Sequence, residues 1–270
     1  MMKSHSEAEP TSFDAYRQLY NLEGQVAMVT GGAGGIGSAI CEGLAAFGAT
    51  VVICGRTGER AEAVAAKIQA AGGHAWGAAL DIREREHVRQ FVDKVIERHG
   101  RLDVLVNSAG THVEAPALEY PEDTWDYIID LNLKAAFYLS QAVAKVQIPR
   151  GGGRHIHVSS VRSQLGIRRG YIAYCASKGG LNLMVRQLAT EWGKYNIRVN
   201  GIAPTFTRTE LVRSYLEDPS FYEPLIARIP LGRICEPRDL AAMAIYLAAP
   251  ASDFITGQII FADGGITASQ

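Results

Sequence analysis

Two side chains that can handle a proton, Tyr174 and Lys178, lie four residues apart. Positions with that spacing face the same side of a helix, about one turn from each other. A free tyrosine titrates near ~10 and is a poor base at neutral pH, but a neighbouring ammonium favours the phenolate and lowers the pKa of the phenol. The pair therefore predicts a group that gives or takes a proton. The alternative is a Tyr/Lys pair on an exposed helix face, which is common in proteins of any function.

Ser160 is a second candidate because of where it stands. It directly follows residues 155–159, an apolar run predicted to be a buried strand. Its hydroxyl is expected at the carboxyl edge of a parallel sheet, where doubly wound folds bind their ligands. There it can hydrogen-bond a substrate oxygen and stabilise the charge that develops on it. Ser159 competes for this role, and we favour a structural role for it.

The pattern that must position these residues begins at Gln25, where short apolar runs start to alternate with helically spaced apolar residues. The predicted strands are residues 26–30, 51–54, 74–79, 104–107, 155–159, 198–202 and 258–261. The predicted helices are residues 36–47, 58–71, 84–99, 122–145, 171–192 and 238–248. Such alternation predicts an α/β fold: a single-domain, Rossmann-type, doubly wound parallel seven-stranded sheet with helices on both faces.

The domain organisation follows from the same pattern. No linker of biased composition divides residues 23–270, which we predict to be one domain. Residues 1–22 are predicted to be an N-terminal extension, polar and mobile over residues 1–12, with either a short helix or an unstructured tail at residues 13–20. The segment 204–236 is too long for a simple connection and is predicted to be a lid or substrate loop.

A glycine-rich loop joins the first predicted strand to the first helix. Residues 30–37 read Thr-Gly-Gly-Ala-Gly-Gly-Ile-Gly. Glycines let the backbone turn sharply and approach a pyrophosphate, whose charge is favoured at a helix N-terminus. A tight glycine turn without a ligand is the alternative, but the position in a βαβ unit favours the phosphate site.

Three motifs in order then resemble the short-chain dehydrogenase/reductase family. They are the glycine loop, Asn107-Ser108-Ala109-Gly110 after the fourth strand, and Tyr174-Cys175-Ala176-Ser177-Lys178, and the resemblance covers roughly residues 23–266. It implies an NAD(P)-dependent oxidoreductase that moves a hydride between the cofactor and a secondary alcohol or ketone. Segments 160–166, 216–219 and 251–254 look most like the sugar-acid dehydrogenases of that family, of the gluconate 5-dehydrogenase type, acting on gluconate or 5-ketogluconate.

The resemblance also implies the site residues. The catalytic tetrad is expected to be Asn132, Ser160, Tyr174 and Lys178. Asn132 is expected to hold a water linked to the lysine in a proton relay, or else to be a buried polar residue bonded to a distorted helix turn. The cofactor-binding residues are expected to be Gly31, Gly35, Ile36, Gly37, Arg56, Asp81, Ile82, Asn107, Ala109, Gly110, Tyr174, Lys178, Pro204, Thr207 and Thr209. For Asn107, the alternative is a turn residue that satisfies backbone groups.

The end of the second predicted strand bears on which cofactor is used. NAD-selective folds place an acidic residue there, which bonds the ribose 2′-hydroxyl, whereas a nearby arginine accommodates a 2′-phosphate. Here Gly55 stands at the acidic position and Arg56 follows it. We therefore expect NADP(H) in preference to NAD(H). A surface Arg56 that stacks on adenine is the alternative and is compatible with NAD(H).

Three arginines bear on the substrate, because Arg162, Arg168 and Arg169 lie between Ser160 and Tyr174. Any of them that faces the pocket could hold a carboxylate through two parallel hydrogen bonds. For Arg168 and Arg169 we favour a solvated loop or a subunit contact. Glu114 argues against an acidic substrate, since basic character is expected at its position.

Composition excludes several partners. Lys and Arg total 27 and Asp and Glu 28 among 270 residues, so charge gives no reason to expect nucleic acid or an anionic membrane. The four cysteines lie far apart, which predicts reduced thiols and no metal site. Acidic and polar residues follow the N-terminus where a signal peptide needs an apolar stretch, and no apolar run is long enough for a membrane span, so we expect a cytoplasmic protein.

Two further functions stay open at this stage. One is reduction of a 3-oxoacyl thioester, weakened by the lack of an obvious basic patch for docking a carrier. The other is a non-catalytic dinucleotide sensor, which would be expected to lose the tyrosine or the lysine. The family resemblance also implies a homotetramer and a small-molecule alcohol or carbonyl substrate.

Overall fold

Seven parallel strands form one sheet in the computed structural model, which describes residues 12–269. The strands are β1 (Val26–Thr30), β2 (Thr50–Gly55), β3 (His74–Ala79), β4 (Val104–Asn107), β5 (Gly153–Val158), β6 (Ile197–Pro204) and β7 (Ile259–Ala262). Their order across the sheet is β3-β2-β1-β4-β5-β6-β7, and every neighbouring pair is parallel. The predicted fold class is confirmed, and the strand order reverses between β1 and β4, where such sheets open a ligand crevice.

Ten helices connect and cover the strands over the described residues. They are α1 (Phe13–Gln18), α2 (Gly35–Ala46), α3 (Gly58–Ala70), α4 (Arg85–His99), α5 (Glu122–Ile129), α6 (Ala135–Gln147), α7 (Ile172–Trp192), α8 (Arg213–Leu216), α9 (Pro219–Ala227) and α10 (Pro237–Ala248). The single helix predicted over residues 122–145 is in fact divided, because a π-helical turn, Asp130–Lys134, separates α5 from α6.

The core has two layers because the central strands are covered on both faces. Every residue of β1 is buried. Ala27 and Val29 pack with α2, α3 and α10 on one face, whereas Met28 packs with α4 and α6 on the other. The helix α7 covers β6 through Val185 and Leu188. The sheet edge that carries Ser160 and the glycine loop is therefore held rigidly from both sides.

The segment 204–236 contains more regular structure than a loop. It includes α8 and α9, and its apolar residues form a separate small core. In that core Leu225 and Ile229 pack against Val161, and the rings of Phe206 and Phe221 lie 5.2 Å apart. The segment thus covers the carboxyl edge of the sheet as a packed layer. The bounds predicted for the N-terminal extension, the domain and the substrate loop stay predictions.

The N-terminal extension begins, within the described residues, with α1. The hydroxyl of Ser12 accepts a hydrogen bond from the backbone N–H of Ala15 at 3.2 Å and caps this helix. None of the residues of α1 is buried. The chain rejoins the domain where Leu19 accepts a hydrogen bond from Ala251 and Leu22 enters the core. A mobile segment was predicted at residues 1–12, and residues 1–11 of it lie outside the described residues.

The contact between α3 and β3 depends on one glycine. Gly77 lies in the middle of β3, and a Cβ atom there would come within 2.3 Å of the backbone nitrogen of Glu62 and 2.4 Å of the carbonyl carbon of Ala61. Both atoms belong to the backbone of α3, which cannot rotate away as a side chain could. The absence of a side chain at Gly77 therefore sets how closely α3 approaches the sheet.

Gly77→Ala should lower the free energy of unfolding by about 2 to 3 kcal/mol, because the added methyl group overpacks a rigid contact. Urea denaturation measures the effect. Gly193→Ala is the matched control, since Gly193 has helical backbone angles and open space at its Cβ position, and should change stability by less than about 1 kcal/mol. Equal stability of the two variants would contradict the close approach of α3.

Candidate active site

The glycine loop presses against the turn after β4. Gly31 has a φ of +68°, and a Cβ atom there would lie 2.7 Å from the backbone nitrogen of Ala109. The backbone N–H of Ser108 donates to the carbonyl of Thr30 at 3.0 Å. The hydroxyl of Thr30 donates to Oδ1 of Asn107 at 2.8 Å. Asn107 thus ties the ends of β1 and β4 together through the side chain of Thr30.

The loop forms a cradle at the start of α2. A Cβ atom at Gly35 would lie 2.7 Å from Cγ2 of Thr209, and one at Gly37 would lie 2.2 Å from the carbonyl oxygen of Gly31. The first N–H groups of a helix have no partner within the helix. The two glycines let the loop and Thr209 pack closely around the start of α2, and the unpaired N–H groups there fit a pyrophosphate.

One cavity of about 550 Å³ opens in front of this cradle. Its walls come from the glycine loop, the ends of β4 and β5, the start of α7 and the segment after β6. Among the predicted cofactor-binding residues, those that line it are Gly31, Gly35, Ile36, Gly37, Gly110, Tyr174, Lys178, Pro204, Thr207 and Thr209. Those outside its lining are Arg56, Asp81, Ile82, Asn107 and Ala109.

Thr205 adds a polar group to this cavity at the end of β6. Its side chain is buried, and no group in residues 12–269 hydrogen-bonds its Oγ1. Buried hydroxyls are normally paired, so an unpaired one beside a cavity fits a polar ligand.

The rim near β2 and β3 is basic. Oδ2 of Asp81 lies 2.6 Å from Nη2 of Arg83, and this hydrogen bond lowers the pKa of Asp81. Arg56 lies close to the same rim and donates to the hydroxyl of Tyr127 at 3.4 Å. Arg60, in the first turn of α3, lines the cavity itself, and sequence reasoning missed it. Its position four residues after Arg56 was the available signal.

Tyr174 and Ser160 both line the opposite wall of the cavity, where the hydroxyl of Ser160 lies near the phenol of Tyr174. Burial raises the pKa of the Tyr174 phenol, and the nearby hydroxyl of Ser160 offsets part of that rise. From the sequence we expected Lys178 to lower the pKa of Tyr174. The structure gives the opposite direction, because the loss of hydration of the phenol outweighs its favourable contacts. A raised pKa keeps the phenol protonated at neutral pH.

Lys178 lies one turn from Tyr174 on α7, with its Nζ 5.7 Å from the centre of the phenol ring. The side chain is only 4% exposed, and Nζ donates to the carbonyl oxygen of Val158 at 2.8 Å. Burial lowers the pKa of Lys178 to about 8. A buried ammonium with a neutral partner is costly to keep charged, which marks it as a candidate functional group.

Asn132 stands in the π-helical turn between α5 and α6 and is 1% exposed. Its amide donates to the carbonyl of Thr111 at 2.9 Å and accepts from the N–H of Thr111 at 3.0 Å, and it also donates to Oγ of Ser177 at 3.0 Å. A Cβ atom at Gly110 would lie 3.1 Å from Oδ1 of Asn132 and 3.4 Å from Nζ of Lys178. The side chain of Asn132 thus fixes the loop after β4 directly beside the lysine.

Ser159 belongs to a hydrogen-bond network behind the cavity wall. Its hydroxyl donates to Oδ1 of Asn182 at 2.6 Å, and the amide of Asn182 donates to Oγ of Ser163 at 2.7 Å. Ser163 in turn donates to the carbonyl oxygen of Ser160 at 2.5 Å. The network anchors the segment after β5 to α7 and so positions the hydroxyl of Ser160.

Glu114 is compensated by the segment that precedes α7. One of its oxygens accepts from Nε of Arg169 at 2.9 Å, and the other accepts from the hydroxyl of Tyr215 at 3.0 Å. The guanidinium of Arg169 also lies 4.9 Å from the centre of the Tyr215 ring. Arg169 is therefore an ion-pair partner and not a freely solvated residue. The objection that Glu114 raises against an acidic substrate is weakened, because its charge is balanced by Arg169.

His112 is a residue that sequence reasoning did not select. It lines the cavity, and its ring lies 5.8 Å from that of Tyr174 and 4.9 Å from that of Tyr171. Burial lowers the pKa of His112, so a neutral imidazole faces the cavity at neutral pH. Its place in the sequence, two residues after the Asn107–Gly110 motif, was the only signal.

Within residues 12–269, no group of three His, Cys, Asp or Glu residues is arranged to hold a metal ion. All four cysteines are free thiols. No described helix is both long and apolar enough to cross a membrane.

Comparisons with known proteins agree with this geometry. Residues 31–267 match the family model described as enoyl-(acyl carrier protein) reductase. The gluconate 5-dehydrogenase of Gluconobacter oxydans is 36% identical over 94% of this chain and 99% of its own length. A tropinone reductase homologue of Arabidopsis thaliana is 39% identical over 92% of this chain and 94% of its own length.

Solved structures give the same result. The crystal structure of a gluconate 5-dehydrogenase from Burkholderia cenocepacia, in complex with NADP and tartrate, superposes with a TM-score of 0.90. It is 37% identical in sequence, and the match covers 94% of this chain and 99% of that one. The resemblance found in the sequence is confirmed: the chain belongs to the short-chain dehydrogenase/reductase family and is an oxidoreductase that acts on CH–OH groups.

Proposed function

We propose that this protein interconverts a secondary alcohol and a ketone with NADP(H), and that Tyr174 is its proton donor and acceptor. The observation that carries the proposal is the meeting of Tyr174, Ser160 and Lys178 on one wall of the cavity into which the glycine loop opens. A non-catalytic sensor of dinucleotides has no need of these three side chains in one place.

The proton chemistry follows from the site. A nicotinamide held in the cavity would supply the hydride for reduction of the carbonyl carbon. Tyr174 donates its proton to the carbonyl oxygen, and Ser160 donates a hydrogen bond to the same oxygen as negative charge develops on it. The raised pKa of Tyr174 keeps the phenol protonated before the reaction. Lys178 supplies a positive charge beside the phenolate that forms, and Asn132 fixes the loop next to Lys178.

The preference for NADP(H) is supported by charge at the rim. Gly55 leaves the acidic position of NAD-selective folds without a carboxylate, while Arg56 and Arg60 bring two cations to the same region. An arginine fork suits the geometry of a 2′-phosphate. The Burkholderia relative was solved with NADP, which supports the same choice.

For the substrate we propose a sugar acid, with the carbonyl formed at a secondary alcohol as in gluconate and 5-ketogluconate. The support comes from the relatives named gluconate 5-dehydrogenase and 5-keto-D-gluconate 5-reductase, each 36% identical to this chain. The second candidate, a 3-oxoacyl thioester, is kept because the matching family model is described as an enoyl-(acyl carrier protein) reductase, which also acts on an acyl chain although on its C=C bond. Rates of NADPH oxidation with 5-ketogluconate and with acetoacetyl-CoA separate the two.

We also propose a homotetramer in the cytoplasm. Exposed apolar side chains on α5 and α7, namely Trp125, Ile172 and Leu183, support a subunit contact across these helices. The edge strand β7 and the fully exposed Phe254 support a second contact. The free thiols at all four cysteines fit a reducing compartment.

Tyr174→Phe should lower kcat for ketone reduction by about 10²- to 10⁴-fold, because the proton donor is removed. Binding of NADPH, followed by fluorescence titration, should be nearly unchanged. Tyr195→Phe, an exposed phenol at the opposite edge of the sheet, is the control and should keep full activity. A Tyr174→Phe variant with most of its turnover intact refutes the proposed role.

Lys178→Met should make the protein more stable at pH 7, by about 1 to 3 kcal/mol, because it removes a buried charge. The pKa of Lys178 is about 8 in the folded protein and near ~10.4 in an unfolded chain. Below pH 8 both states are protonated and burial of the charge destabilises the folded state. Between these two pKa values the unfolded state binds more protons, so the wild type gains stability as pH rises.

Denaturation of the wild type and of Lys178→Met at pH 7 and pH 10 tests this. The advantage of the variant should shrink at the higher pH, while its turnover should be lost at both. A difference that does not change with pH would show that the lysine is not a buried cation at neutral pH.

Arg60→Ala should raise the KM for NADPH about ten-fold or more, because a charged hydrogen bond to the 2′-phosphate is lost. The KM for NADH should stay the same, since NADH has no such phosphate. Arg56→Ala should act in the same direction, whereas Arg89→Ala, an exposed arginine on α4, should change neither constant. An equal rise for both cofactors would show that Arg60 supports the site without reading the phosphate.

A further inference from the structure

A second cavity adjoins the catalytic one. It has a volume of about 960 Å³ and lies between the segment after Ser160 and the lid helix α9. Four arginines line it, Arg162, Arg168, Arg169 and Arg228, and its lining contains no acidic residue. A cavity lined by one sign of charge concentrates ligands of the opposite sign.

The positive charge of this cavity is mostly uncompensated. Among residues 12–269, Arg169 pairs with Glu114, whereas no carboxylate forms an ion pair with the other three arginines. Cations of a protein interior are normally paired, because desolvation of a lone charge is costly. Arg168 and Arg228 are exposed to water, so the argument concerns the buried Arg162, whose missing partner is expected to be an anion from outside the chain.

Arg162 is the arginine to which this applies most strongly. It is 6% exposed. One of its terminal nitrogens donates to the carbonyl oxygen of Gly166 at 2.8 Å, with a longer contact of 3.5 Å to that of Leu165. Burial and the nearby charge of Arg228 both lower the pKa of Arg162. Neutral carbonyls satisfy part of its hydrogen-bonding capacity and none of its charge.

Arg162 also connects the two cavities, since its side chain lines both. Its backbone N–H donates to Oγ of Ser160 at 3.1 Å. Arg162 is therefore directly linked to Ser160, the residue proposed to bind the substrate oxygen. Phe206 lines both cavities too and supplies an apolar wall between them. A substrate whose carbonyl lies at Ser160 and Tyr174 can thus extend past Arg162 into the second cavity.

We propose that Arg162 and Arg228 form a subsite that binds the carboxylate of a keto acid or hydroxy acid while its reacting carbon lies at Tyr174. This inference rests on the proposed oxidoreductase function and adds the residues that select an acidic substrate. Arg162 supplies the buried contact, and Arg228, exposed at the end of α9, adds charge from the lid. Arg162 could instead serve only to hold the 163–166 loop, and the two roles differ in how they respond to substrate charge.

The test compares an acid with its neutral analogue. 5-Ketogluconate carries a carboxylate where the ketohexose L-sorbose carries a hydroxymethyl group. In the wild type, kcat/KM with NADPH should be higher for the acid. Arg162→Gln, which keeps a donor for the loop carbonyls but no charge, should raise the KM for the acid about ten- to a hundred-fold, the loss expected for a charged hydrogen bond. The KM for L-sorbose should stay the same.

Arg228→Gln repeats the test at an exposed position where folding is not at risk, and should raise the KM for the acid by a smaller factor. Arg186→Gln, an exposed arginine on α7, is the matched control and should change nothing. Titration calorimetry with tartrate, in the presence of NADP, gives a readout that does not need turnover. Tartrate should bind the wild type and bind Arg162→Gln at least about ten-fold more weakly.

The outcomes separate the two proposals. An equal loss with acid and neutral ketone in Arg162→Gln, with tartrate binding unchanged, overturns the subsite and leaves the oxidoreductase function standing. A wild type that prefers L-sorbose to the acid also overturns it. If the wild type reduces no ketone at all but Arg162 and Arg228 still govern tartrate binding, the proposed function fails and the anion subsite stands.

Discussion

The contact between the glycine loop and the turn after β4 is the constraint on which the rest of the site depends. It lies where the strand order of the sheet reverses, and it is close only because Gly31 has no side chain. The hydrogen bond from Thr30 to Asn107 holds the two strand ends at that distance. On one side of the contact the N-terminus of α2 faces the cavity, and on the other the chain continues to Gly110 beside Lys178. A wider gap here would separate the glycine loop from Lys178 and Tyr174.

The chemistry of the cavity is set by burial more than by pairing of charges. Lys178 donates to the neutral carbonyl of Val158, and Tyr174 lies beside the hydroxyl of Ser160. Both groups are therefore shifted toward their neutral forms, the lysine by a lowered pKa and the phenol by a raised one. Burial of Lys178 without a carboxylate partner lowers the stability of the folded protein. The pKa values of both groups also respond to any charge that enters the cavity. Function and stability are opposed at these two positions.

Much of the fold could be predicted from the sequence because it depends on local patterns. The bounds predicted for β1 and β4 agree with the structure, since short apolar runs bounded by glycines or polar residues mark buried parallel strands. The helices α8 and α9 were missed. They are short, α9 contains Pro224, and their apolar residues face a small local core whose existence only the tertiary structure shows.

The candidate site divides in the same way. The tetrad and the glycine loop have motifs with fixed spacing, so their residues could be named in advance. Arg60, His112 and the partners of Glu114 could not, because their roles depend on distances between segments that are far apart in sequence. Glu114 and Arg169 are separated by 55 residues, and Glu114 and Tyr215 by 101. Nothing in a single sequence fixes which of several arginines a given carboxylate will meet.

The three-way contact at Glu114 has a mechanical consequence. One carboxylate joins the loop after β4, the segment between Ser160 and Tyr174, and the helix α8 through Tyr215. Three segments at the rim of the cavity are thus linked to one another through Glu114. An outward movement of α8 separates Tyr215 from both Glu114 and the guanidinium of Arg169. Access to the cavity and the position of the segment that carries Arg162 are therefore mechanically coupled.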